Sequence, residues 1–188
     1  TIVRTGLSRD VIARAALELT DEVGLAGLSM RKLGAALGVE AMSLYHYVTN
    51  KDDLLDAILD VLYGEIALPW DLAHDDWETG PRLGLRAFRQ VLLDHPAALE
   101  LFASRPAKTT SALNVLLWAH GRIHAVGVAQ PQACHAVHFA VSFVMGHAAS
   151  EVGVLALLRD GKGPDPYSFE DPAARDFLLG TRDLSADD

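Results

Sequence analysis

The chain has little that would staple it or anchor it. Its 188 residues contain one cysteine, Cys134, so no disulfide can form within the chain and a reducing compartment is expected. Its apolar stretches are interrupted by His, Ser, Gly or Glu, and none reads as a membrane span; the start has no leader pattern, so a soluble, cytoplasmic protein is expected. The enzyme signatures GxSxG, GxxxxGK[ST] and GxGxxG after a strand are missing, as is HExxH. Period-2 alternation bounded by hairpin turns is missing too. What remains is a chain 50% hydrophobic, able to bury a large core without metal or disulfide help.

Basic charge is also scarce, with a net charge of −9. The deficit is uneven. Residues 1–51 carry a net +1, whereas residues 52–188 carry a net −10. Only the first part is permissive toward phosphate, and a two-part organisation follows, 1–51 and 52–188.

The pattern is all-α. Apolar residues at Val11, Ile12, Ala15, Ala16, Leu19 and Val23 predict a first helix capped by Ser8 and stopped at Gly24. Ser29 caps a second, Met30 to Leu37, ended by Gly38, and a third runs from about Ala41 to Val48. Asn50 caps a fourth, through Leu54, Ile58 and Leu62 toward Ile66, with Asp52 and Asp53 in its dipole-favoured first turn. Later helices are expected at about 77–94, 97–104, 110–126, 131–159 and 172–182, separated by Pro and Gly breaks.

The stretch MSLYHYVTNK, residues 42–51, does not fit core packing alone. Consecutive helical residues lie about 100° apart, so Tyr45, His46 and Tyr47 cannot share one buried face. The second and third helices, joined at Gly38-Val39, have helix-turn-helix dimensions. On that reading Ala41, Met42, Ser43, Tyr45, His46 and Tyr47 face outward, while Leu44 and Val48 turn in. Hydroxyls suit phosphate or base edges, Lys51 suits phosphate, and Arg31 can reach a guanine bidentately. An apolar helical hairpin with a Gly turn would look similar without binding anything.

The run ALELTDEVGLAGLSMRKLGAALGVEAMSLYHYVTNKDDLLDAI resembles the DNA-binding domain of TetR-type transcriptional repressors over residues 8–58. DHPAALELFASRP and FVMGHAASE resemble, more loosely, the C-terminal domain of the tetracycline-repressor branch. The resemblance implies an N-terminal three-helix helix-turn-helix domain and a larger helical domain for ligand binding and dimerisation. It implies a homodimer on palindromic double-stranded DNA, released by a small-molecule inducer. It places groove contacts at Arg31, Ala41, Met42, Ser43, Tyr45, His46 and Tyr47, with Lys51 on phosphate. Ala41 and Met42 depart from the more polar or ring residues common there.

For the ligand, Phe88, Leu92, Phe102, Leu113, Leu117, Trp118, Phe139 and Phe143 offer wall material, with His138 and His147 as polar partners; each reads equally well as core. For the dimer, Val137, Val141, Val144, Ala148, Val152 and Leu155 on the long eighth helix, with Phe177 and Leu178 beyond it, offer small aliphatic faces. The pairs His135/His138, His120/His124 and His147/Glu151 share helical faces, but no full metal-ligand spacing emerges, so no metal and no cofactor is expected. The position where the tetracycline-binding branch carries a drug-holding histidine falls at Ala67, which speaks against tetracycline–Mg. A regulator without a ligand is the main alternative, and a metal-dependent helical enzyme a remote one. Cys134 beside His135 and His138 reads better as a small hydrophobe than as a nucleophile.

Overall fold

The computed structural model describes residues 6–73, 76, 78–159 and 172, with the side chains of 154–159 outside that description. The described residues form eight α-helices and no strand. They are α1 (Arg9–Val23), α2 (Met30–Leu37), α3 (Ala41–Leu44), α4 (Lys51–Glu65), α5 (Thr79–Asp94), α6 (Leu99–Ser104), α7 (Thr110–Ala125) and α8 (Gln130–Arg159). Short 3₁₀ turns at Leu25–Gly27 and Pro96–Ala98 precede α2 and α6. Thr1–Ala149 and Ser150–Asp188 are separate compact units, and the first carries everything that follows unless stated.

The helix starts are set by side-chain caps. Ser8, Ser29, Asn50 and Thr109 each accept from the backbone N–H three residues on, satisfying one otherwise orphaned donor apiece. Gly38 ends α2 in the left-handed region at φ 69°, and the Val39 N–H closes the turn on the Gly34 carbonyl at 2.9 Å. Gly34 matters for a different reason: a Cβ there would lie 2.8 Å from the Val39 carbonyl oxygen, so α2 and α3 pack this closely only over a glycine.

Helix α1 buries Ile12, Ala13, Ala16, Leu17 and Thr20. The buried stripe is thus rotated by about one residue from the expected one. Val23 lies outside it, exposed, and Thr20 sits inside it because its hydroxyl is satisfied by the Ala16 carbonyl at 2.7 Å. Helix α4 is the spine. It buries Leu54, Ala57, Ile58, Leu59, Val61 and Leu62, packing on α1 along one side and on α7 along another.

Helix α3 is shorter than expected. It ends at Leu44, and residues 45–47 continue as turns, with Tyr45, His46 and Tyr47 donating to carbonyls three residues back. Bulky neighbouring rings gain little from a continued helix, and the tighter turn fans them outward. Of the expected helix 172–182, all but residue 172 lies outside the described residues.

Candidate DNA interface and apolar cavity

Leu44 and Val48 are completely buried and anchor the segment between them to the core. Everything else in it faces out. Met42 is 70% exposed, Tyr45, His46 and Tyr47 are exposed, and Ala41 and Ser43 are half-buried at its edge. Arg31 and Lys51 are exposed on either side along the chain. The Lys51 ammonium donates to the Leu28 carbonyl at 3.1 Å, which fixes its place and leaves two of its three N–H groups for another acceptor.

One holding device was not foreseen. Arg9, in the first turn of α1, donates to the Tyr47 carbonyl at 3.2 Å, and to the Asp53 carboxylate at 2.5 Å and carbonyl at 3.2 Å. The Asp53 carboxylate also accepts from the Thr49 N–H at 2.8 Å and hydroxyl at 3.2 Å. The Arg9 hydrogen bond, helped by those from Thr49 and opposed by burial, holds the Asp53 carboxyl well below the usual carboxylate range. The end of the outward segment is thereby tied to the starts of α1 and α4. The sequence signal was faint: a lone Arg beside a capping Ser.

Polar bridges also join α4 and α1 to the later helices. Arg105, after α6, donates to Asp56 at 2.8 Å and to Asp52 at 3.2 Å, and Lys108 pairs with Asp56 at 2.8 Å. His95, after α5, lies between the Asp21 carboxylate at 2.7 Å and the Glu65 carboxylate at 2.9 Å.

An apolar cavity of about 110 Å³ opens among α4, α5, α7 and α8. Phe88 and Trp118 line it, as expected, but several of its walls come from residues sequence reasoning passed over: Tyr63, Ile66 and Leu68 at and after the end of α4, Leu85 on α5, and Val115 and Ile123 on α7. Leu92 is buried outside the lining, and Phe102 sits half-buried in edge contact with Tyr63 and Phe88. A spacing rule would have helped: Gly80 and Gly84 on α5 match Arg122 and Trp118 on α7, each pair four apart. A Cβ on Gly84 would meet the Trp118 ring at 2.7 Å, so the small residues mark the close crossing that frames the cavity.

The remaining expectations for α7 and α8 must be corrected. Leu113 and Leu117 are exposed, Phe139 and Phe143 are 74% and 66% exposed, and His138 and His147 lie on the surface, the His147 ring stacked on Phe143. None of these lines the cavity. Conversely, Val137, Val144 and Ala148 are buried within the chain, and half-buried Val141 lines the cavity with Val137. Their side chains pack within this chain. The reason is helical period: once Ala133, Val137, Val144 and Ala148 pack inward, Phe139 and Phe143 necessarily face out. Val152 is half-buried, and the side chains of Leu155, Phe177 and Leu178 lie outside the described residues.

A glycine-turned helix pair that anchors two buried aliphatics and presents hydroxyls, rings and cations outward has the geometry of a helix-turn-helix. Residues 12–58 match the family model of bacterial regulatory proteins, tetR family, and residues 68–176 match the tetracyclin repressor-like C-terminal domain. The chain belongs to the TetR family. It is 36% identical over 145 residues to an HTH-type transcriptional regulator of Saccharopolyspora erythraea, a match covering 77% of this chain and 61% of that protein's length. Among solved structures, BioQ with its natural double-stranded DNA operator is similar at 27% identity and TM-score 0.66, covering 84% of this chain and 94% of that one. The Streptomyces coelicolor TetR family protein ActR, in complex with (S)-DNPA, is similar at 25% identity and TM-score 0.69, covering 78% and 71%.

Proposed function

We propose that this chain is a ligand-responsive transcriptional repressor that binds a palindromic operator as a homodimer and is released by a small-molecule inducer. The observation that carries the reading is the continuity of α4. Near its start, Asp53 binds the Arg9 that also holds the Tyr47 carbonyl at the end of the outward segment, and Tyr63 and Ile66, at its far end, line the cavity. A molecule that fits the cavity in one placement of α4 better than another shifts the operator-binding equilibrium by that difference in affinity. The likeness to BioQ bound to its operator and to ActR bound to a small molecule supports both ends of this reading. Residues 1–51 would be the DNA reader and residues 52–188 the ligand and dimer part. No helix among the described residues is long and apolar enough to cross a membrane, which accords with a cytoplasmic place of action.

The dimer follows from the size of the reader. One such motif covers few base pairs, so specificity needs a second copy about 34–36 Å away along the duplex. The exposed Phe139 and Phe143 face of α8 is the surface offered for it.

The test begins with selection of tight-binding duplexes from a random pool, followed by anisotropy titration with and without fractionated small-molecule extract. Tyr45→Ala and Lys51→Ala should weaken binding without altering helicity, and at least one fraction should release the duplex. A molecule that binds tightly in the cavity yet leaves operator affinity unchanged would end the repressor–inducer reading.

A further inference from the structure

The outward segment is poor in the groups that read bases through paired hydrogen bonds. Guanidinium, ammonium and carboxamide side chains make two bonds at once to guanine or adenine, and none stands between Ala41 and Tyr47. Arg31 comes from α2, and the Lys51 ammonium is engaged with the Leu28 carbonyl at 3.1 Å. What the segment presents instead is two tyrosines, an imidazole, a half-buried serine and one apolar side chain in the open, Met42. At 70% exposed, Met42 is the most exposed large apolar side chain among the described residues of 1–51; Val23, Tyr45 and Tyr47 follow at 40–42%.

The backbone that carries Met42 is fixed. A Cβ on Gly34 of α2 would stand 3.1 Å from the Ala41 nitrogen and 3.2 Å from its Cα, so α2 packs directly on the residue before Met42. The Ser43 N–H donates to the Glu40 carbonyl at 2.9 Å, and completely buried Leu44 pins the same turn. Tyr45, three residues on, shares the side of Met42, its N–H donating to the Met42 carbonyl at 3.2 Å. A methionine side chain has no hydrogen-bond donor and only a weak acceptor, so it cannot match a polar base edge. The major groove offers one apolar base feature, the thymine 5-methyl group, which apolar side chains recognise by contact. The flexible, polarizable thioether chain adapts its shape to such a group.

We propose that Met42 is a specificity-determining residue that selects a thymine at one position of each half-site, by apolar contact with its 5-methyl group. This rests on the reading of the outward segment as the DNA-facing one. Base reading is then divided between Arg31, through hydrogen bonds, and Met42, through contact.

The test removes the methyl group and nothing else. Deoxyuridine keeps every hydrogen-bonding atom of thymidine and lacks only that group. In the tightest duplex from the random-pool selection each thymine is replaced in turn. Affinity is measured by anisotropy on the full chain at one salt concentration, for wild type, Met42→Ala and Arg31→Ala. With wild type, one thymine per half-site should show about fourfold weaker binding as deoxyuridine, the size expected for one buried methyl. That loss should vanish in Met42→Ala and persist in Arg31→Ala. Wild type indifferent to every replacement would overturn the methyl reading, an outcome that needs no variant to fold. A loss that survives unchanged in Met42→Ala would overturn the part given to Met42. Both outcomes leave the operator reading intact, because a duplex has been selected and bound. Selection of no tight duplex would end the operator reading and this one together.

Discussion

Two sets of aromatic side chains stand exposed on this chain, and they differ in kind. Tyr45, His46 and Tyr47 carry hydrogen-bonding atoms and sit with exposed cations nearby in sequence, held by a buried anchor at each side and by Arg9 from below. Phe139 and Phe143 carry only hydrocarbon, on a helix whose opposite face is core. The first set suits a polar, charged partner that arrives and leaves. The second suits permanent cover by another apolar surface. Exposure alone says little; the atoms at the ring's edge say which partner is meant.

The sharpest way to break that comparison is to charge the hydrocarbon face. Phe139→Glu combined with Phe143→Glu should leave helicity intact, convert a dimer into monomers at micromolar concentration, and weaken operator binding more than 100-fold. Sedimentation and anisotropy read both effects. Ala148→Glu, on the opposite face and completely buried, should instead lose about 3 kcal/mol or more of stability in urea titration, since a charge enters the core unpaired. If the two substitutions gave the same phenotype, the division of α8 into core and partner faces would be wrong.

Loosening the other set should cost less. Arg9→Ala frees the Tyr47 carbonyl, and about tenfold weaker operator binding with little change in urea midpoint is expected. Arg31→Ala should relax base preference at one position per half-site by about 1–3 kcal/mol. Lys51→Ala should weaken binding to all duplexes alike and lower the salt slope by about one unit. Equal losses on specific and random duplexes for both variants would erase the distinction between base and phosphate contacts.

The smallest effect is one of pH. Burial works against charge on His95, but the carboxylates of Asp21 and Glu65 outweigh it and raise its pKa above 6.5. Its contribution is therefore fully present below pH 6.5 and is lost as pH rises through the folded value. The stability gap between wild type and His95→Gln should be largest near pH 6 and shrink above it, staying under about 1 kcal/mol for so partly solvated a group. A gap that widens from pH 6 to 8.5 would contradict the sign.

The outward segment could be read in advance because local rules converge on it: Ser29 and Asn50 cap, Gly38 turns, and three adjacent rings cannot all be buried. The cavity could be read only in part. Phe88 and Trp118 were legible as large apolar residues, but Tyr63 and Ile66 line the cavity only because α4 is long enough to reach it. Helix α8 resisted because its apolar residues go nearly all the way round. Periodicity then leaves the choice of inner face to the neighbours, and α8 chose Val137, Val144 and Ala148 over Phe139 and Phe143. The Arg9 clamp spans 44 residues to Asp53, beyond the range of any local pattern.

On the function proposed above, two copies of this chain read one symmetric duplex through the segment from Ala41 to Tyr47. Sedimentation of the wild type on the tightest duplex from the random-pool selection tests it most directly. The expected result is an inverted repeat whose half-site centres lie about 34–36 Å apart, one helical turn or a multiple of it, bound by an even number of chains. A single chain bound tightly to a sequence without two-fold symmetry would contradict it.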